Sequence, residues 1–335
     1  MSFKQIIGQE RPINILQNAI LNNRLSHAYL FEGQPGVGKI FTALNFIKAV
    51  NCLNPVSGGA DCCDECASCK KIDEKNHIDI KWIDLLKGKT QICIEQIRQM
   101  QAQINLKPNE AKYKVYCIKD ADLMNEEAQS ALLKTLEEPP LKSVIILTTA
   151  NMRSLLATII SRCQLVKFSS LKIEFVKDIF VKRYNMDPDA AYFLAYIAQS
   201  GLIDVSLFAK ENVLENKNKI INDFITFLDN QSIELRFLKD SEEDILWGLS
   251  VILWWYRDML IFKETGSLDM IANKDRINDI KTSSARFSVL QLGQIISIIF
   301  KTLQFLNETN VNAKLALTVM ATDILNIHFT ASTTK

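Results

Sequence analysis

Residues 33–40, GQPGVGKI, supply seven of the eight letters of a phosphate-binding loop, G-x-x-x-x-G-K-[ST]. Backbone N–H groups of such a loop turn inward as a nest for anions. The adjoining helix adds a favourable field for phosphate. Gly33, Gly36, Gly38 and Lys39 are therefore the candidate phosphate-binding residues, with Lys39 placed to reach β and γ oxygens. The eighth letter departs from the pattern. A hydroxyl is required there as a Mg²⁺ ligand, and this chain has Ile40.

An NTPase also needs acidic residues at the end of a later strand. The candidate is VYCI, followed by Lys119 and Asp120. Lys119 stands where the Mg²⁺-holding carboxylate belongs. At about 4 Å from a divalent ion its charge would cost roughly 8 kcal/mol at an effective dielectric near 20. A one-residue slip would bring Asp120 to the metal instead, at the expense of turning every strand side chain to the other face. Two defects on the Mg²⁺ side, Ile40 and Lys119, argue against hydrolysis and leave nucleotide occupancy of the loop open.

A second chemistry lies just beyond. Five of the eight cysteines fall within residues 52–69, in the pattern Cys52-x10-Cys63-x2-Cys66-x2-Cys69 with Cys62 adjacent. Two successive C-x2-C steps let thiolates converge on one tetrahedral ion, and Cys52 can supply the fourth ligand. Soft thiolates in a reducing compartment select zinc. A redox dithiol, or Cys62 in place of Cys63 as ligand, remains as an alternative. Further on, TTAN (148–151) ends a strand and Ser161-Arg162-Cys163 precedes another. Taken alone, Arg162 reads as a surface salt-bridge residue. His27, His77 and His328 lack metal spacing and read as structural, and Cys93 and Cys117 as packing residues.

The elements that must position these groups are readable as alternating strands and helices. HAYLFE (27–32) runs into the glycine loop and FTALNFIKAV has helical spacing after it. HIDIKWID (77–84), KYKVYCI (112–118), SVIILTT (143–149) and QLVKF (164–168) are further strands. TQICIEQIRQMQAQI and NEEAQSALLKTLEEPP are the helices between them, the second with Asn125 as N-cap and Pro139-Pro140 as its stop. This alternation predicts a parallel sheet covered on both faces. From Leu171 the pattern becomes helical throughout, with breaks at 185–188, 201, 265–267 and 282–284. Trp247, Trp254 and Trp255 on an apolar helix fit a core or a subunit interface.

At 335 residues the chain exceeds a single core. A net charge of +1 gives no bulk attraction to nucleic acid, which weighs against a free-standing zinc-containing DNA-binding protein. The most apolar run, residues 245–256, is shorter than the about 20 residues a membrane span requires. No signal-peptide pattern opens the sequence, so a cytoplasmic protein without membrane contact is expected.

Taken in order, IGQE, HAYLFEGQPGVGK, the cysteine insert, KDADLMNEEAQSALLKTLEEPP, TTAN and SRC resemble the AAA+ subunits of bacterial DNA polymerase III clamp loaders. WWYRDML and NVNAKLALTVM extend the likeness toward the C-terminus. The resemblance implies a RecA-like α/β domain with a zinc module (1–168), a helical lid (169–210) and a helical collar (211–330) before a short tail (331–335). Within that family the delta-prime type lacks competent ATPase motifs and the gamma/tau type keeps them. Ile40 and Lys119 side with delta-prime. So does Ser200-Gly201-Leu202-Ile203-Asp204, where gamma/tau chains carry a lid arginine. The resemblance further implies that Arg162 enters a neighbouring subunit's ATP site. The chain would then be a non-hydrolysing accessory subunit of the polymerase holoenzyme. Its partners would be gamma/tau and delta, and it would reach the sliding clamp and primed DNA through the complex. A gamma/tau-like ATPase using its own loop is the alternative.

Overall fold

The computed structural model describes residues 2–86, 88–200, 212–230, 241–308 and 312–333. Two compact units divide the chain, Met1–Lys172 and Ile173–Lys335. The first continues past the expected boundary at 168 because Gln9 ties Ser169 to it. The Gln9 side-chain amide donates to Ser169 O at 2.7 Å and accepts from Ser169 N at 3.1 Å.

Five parallel strands form the sheet of the first unit: β1 (Ala28–Glu32), β2 (Ile80–Ile83), β3 (Lys114–Ile118), β4 (Ser143–Thr149) and β5 (Gln164–Lys167), in the order β2-β3-β4-β1-β5. Both faces are covered, so the central strands are largely apolar and the pleat decides the side, while the edge strands β2 and β5 expose Lys81, Gln164 and Lys167. Tyr29 and Phe31 of β1 pack beneath α1 (Glu10–Leu21) and α2 (Lys39–Asn51). Ala28 and Leu30 face α4 (Ile94–Ile104), α5 (Glu126–Glu137) and α6 (Ala157–Arg162). With β1 flanked by β4 and β5, this is the RecA-like AAA+ arrangement expected from the sequence. Ligands of such sheets bind beyond the carboxyl ends of the strands, where strand order reverses.

Helix boundaries reflect local chemistry. Asn125 caps α5 by accepting from Ala128 N at 2.9 Å, and the helix stops at Glu137 before Pro139 and Pro140. One short helix, α3 (Ala67–Asp73), lies inside the cysteine insert, where the sequence pattern indicates only turns. Cys93 does not pack in the core as expected. It is the half-buried N-cap of α4, its N–H bonded to Gln96 Oε1 at 3.3 Å.

The second unit is helical: α7 (Ile173–Tyr184), α8 (Pro188–Ser200), α9 (Val213–Asn230), α10 (Glu242–Thr265), α11 (Ile277–Ser284), α12 (Val289–Glu308) and α13 (Ala313–Thr333). The expected division near residue 210, and residues 201–204 of the Ser-Gly-Leu-Ile-Asp segment, lie outside the described residues. The apolar run 245–256 is part of α10, which has 24 residues. By length and composition alone α10 and α12 could each cross a membrane. The α10 side chains are however taken up by the core, where Leu249, Val251, Ile252, Trp255, Tyr256 and Met259 are buried.

One buried carboxylate fixes the entry to β3. Asp79 accepts backbone N–H groups from Asn109, Glu110 and Ala111 at 2.8–3.0 Å. Burial opposes its ionisation, but these donors prevail and hold the carboxyl below its ordinary value. Its stabilisation is therefore fully present above about pH 4 and is lost as pH falls through the folded-state value. Asp79→Asn is expected to lower stability by about 1.5–3 kcal/mol at neutral pH. Urea unfolding at a series of pH values should show that difference narrowing below about pH 4.

Candidate functional site

Gly33 comes directly after β1, with its N–H on Thr149 O at 3.2 Å. A Cβ there would lie 2.8 Å from Phe168 Cβ and 2.9 Å from Phe168 O, so the loop can pass β5 only as glycine. Gly36 and Gly38 take φ values of 78° and 94°, open to glycine without strain. Lys39, buried at 6% exposure, folds over the loop and donates to Gly33 O, and to Gln34 O at 2.9 Å. Burial lowers its pKa, and the charges of Asp120 and Asp122 act against that.

The strand end beside the loop places a lysine, followed by an aspartate, after β3. Lys119 turns to Asp84, beyond β2, at 2.5 Å. Asp120 adopts a left-handed backbone (φ 45°) and its N–H donates to Thr148 Oγ at 3.0 Å. Burial, then the neighbouring Asp122, raise the Asp120 pKa. The carboxylates acting on Lys39 are thus Asp120 and Asp122, while Lys119 is drawn off toward the sheet edge.

The cysteine pattern converges as its spacing requires. The sulfurs of Cys52, Cys63, Cys66 and Cys69 all lie within 4.8 Å of one another. Cys52 is 3.5 Å from Cys63, 4.0 Å from Cys66 and 3.8 Å from Cys69. A tetrahedron with Zn–S bonds of about 2.3 Å has edges of roughly 3.8 Å, so the four residues fit zinc. The N–H groups of Cys63, Cys66 and Cys69 point at the sulfurs of Cys52, Cys63 and Cys66 at 3.3–3.5 Å. Cys62 stands apart from this group. Its sulfur faces Asp64 Oδ1 at 3.4 Å, and burial pushes the thiol up to about 12.

The cysteine cluster is tied to the loop's own helix. Cys52 is the C-cap of α2, and Lys48 on the same helix is fully buried. Its ammonium meets Asp64 at 2.6 Å and Asp73 at 3.0 Å. Lys112 Nζ donates to Cys52 O at 2.7 Å.

Arg162 closes α6. It has the surface partner that its isolated reading suggests: Nη2 meets Glu137 Oε1 at 2.7 Å, and Nη1 donates to Thr158 O at 3.0 Å. Ser161 Oγ also bonds Thr158 O, and burial raises the Cys163 thiol to about 12. Sequence reasoning assigned no role to Gln9, Lys48, Gln129 or Glu137. The only signal for Glu137 was a carboxylate in the last turn of a helix, where the macrodipole disfavours it.

Residues 8–172 match the family model described as DNA polymerase III, delta subunit. DNA polymerase III subunit delta' of Bacillus subtilis is 32% identical over 280 residues, 82% of this chain and 83% of that protein. The chain belongs to the family of DNA polymerase III clamp-loader subunits. Subunit tau of Bacillus subtilis is 28% identical over 92% of this chain, which spans only 59% of tau. A gamma subunit-related protein of Thermotoga maritima, solved by crystallography, aligns over 95% of this chain and 99% of its own, at 18% identity and a TM-score of 0.46.

For this clamp-loader subunit, the sulfur geometry sets a clear expectation. Serine in place of Cys52, Cys63, Cys66 or Cys69 should abolish stoichiometric zinc in the purified protein. Cys62→Ser should retain one zinc per chain. Elemental analysis of the variants distinguishes the two sets.

Proposed function

We propose that this subunit does not hydrolyse ATP on its own loop and acts instead on a neighbour's nucleotide, in the manner of delta-prime. The observation that carries this reading is Lys119. An ammonium group paired with Asp84 stands at the strand end where Mg²⁺ needs a carboxylate, and Ile40 removes the hydroxyl ligand. Lys39 has turned to the loop's own carbonyls, as a lysine in a retained scaffold can.

Arg162, at the exposed end of α6, is the group offered to the adjacent ATP site. There a guanidinium stabilises charge developing on the transferred phosphoryl group, and such fingers contribute about 10³–10⁵ in rate. Zinc held by the four cysteines would be structural, closing the insert against α2. Residues 169–210 would serve as lid and 211–330 as collar, joining gamma/tau and delta subunits. The assembly would load the sliding clamp on primed DNA in the cytoplasm, with this chain an accessory to the polymerase.

A second reading, a gamma/tau-like ATPase, draws on Asp120, whose charge reaches Lys39. DNA- and clamp-stimulated ATP turnover of the reconstituted loader separates the two. Arg162→Ala should lower turnover several-fold while Lys39→Ala leaves it unchanged. An equal loss in Lys39→Ala with assembly intact means that the chain uses its own nucleotide.

A further inference from the structure

The Arg162 guanidinium sits on two short elements that are locked to each other. Gln129 of α5, 4% exposed, donates to Met124 O at 3.1 Å and to Ser154 O at 3.0 Å. Its Oε1 accepts from Leu156 N, the residue before α6, at 2.8 Å. The backbone that carries Arg162 is thereby pinned to the backbone that carries Glu137. Across that frame Glu137 holds one edge of the guanidinium at 2.7 Å, while the Thr158 carbonyl holds Nη1 from within α6. Of the five N–H donors of the group, three keep no partner among the described residues.

Glu137 gains little for the fold where it is. It is the last residue of α5, where the carbonyl ends of the helix repel a carboxylate. Its side chain is 52% exposed, and ion pairs so exposed to solvent add little to stability. What the arrangement does achieve is geometric. An arginine at an exposed helix end samples many rotamers, and fixing it before its partner arrives removes that ordering cost from the encounter. A carboxylate bound to one edge of the planar group sets its orientation and leaves the other N–H groups for an incoming anion.

We infer that Glu137 is a positioning residue for Arg162, holding the guanidinium ready for the neighbouring subunit's phosphate. This rests on the reading of Arg162 given above. Glu137 does not touch nucleotide; it acts through the arginine, and its charge, half in water, is screened from the phosphate.

The test is ATP turnover of the assembled loader with Glu137→Gln, Arg162→Ala and the double variant, with the melting temperature of each free subunit recorded. Glu137→Gln is expected to lower kcat by between about twofold and tenfold, the scale of one immobilised side chain, with KM for ATP and the melting temperature unchanged. In the Arg162→Ala background it should have no further effect. Wild-type kcat in Glu137→Gln, when Arg162→Ala is impaired, overturns the inference and leaves the finger intact. A raised kcat overturns it as well, since Glu137 would then compete with the phosphate. A loss that persists in the double variant shows that Glu137 acts by another route. If Arg162→Ala itself has no effect, the reading of Arg162 fails and the inference with it.

Discussion

A buried ammonium group holds the first unit's two chemical features in one piece. Lys48 has no solvent exposure, and its pairing with Asp64 and Asp73 makes that tolerable. Burial alone would drive its proton off, yet the two carboxylates outweigh it and raise the pKa to about 12. An uncompensated charge at this depth would cost several kcal/mol. The insert must therefore fold so that both carboxylates reach α2, and this brings Cys63, Cys66 and Cys69 to Cys52. The ion triad and the sulfur cluster thus impose the same conformation.

Much of this architecture was legible because parallel strands covered on both faces leave uninterrupted apolar runs. SVIILTT coincides with β4. HIDIKWID shortens to Ile80–Ile83, with the Asp79 carbonyl still accepting from Val115 N while its carboxylate takes the N–H groups of residues 109–111. The four-cysteine group was readable from spacing alone, since two C-x2-C steps leave few other ways to satisfy a metal. Spacing did not separate Cys62 from Cys63. That choice is made by Asp64, whose oxygen takes the Cys62 thiol. The pairing of Glu137 with Arg162 was out of reach for a different reason. Their contact joins residues 25 apart in sequence on separate helices, and no local period records it.

The shape of the loop at 33–39 rests on contacts within the protein itself. Gly33 is required by Phe168, and the Lys39 ammonium donates to the Gly33 and Gln34 carbonyls of the loop. The carboxyl ends of β3 and β4 are likewise engaged, with Thr148 accepting from Asp120 N. Sterics and hydrogen bonding therefore maintain the shape of a nucleotide cradle, while the identity of residues 40 and 119 decides what chemistry that shape can support.

Helix α2 begins at the loop lysine and ends beside Cys52 of the sulfur cluster, so its thirteen residues act as a ruler. Each residue contributes about 1.5 Å of rise and 100° of turn. Removing one would swing Cys52 off the sulfur cluster and carry Lys48 away from its carboxylates, although no residue contacting either group had been altered. The register of this helix is therefore fixed from both ends at once.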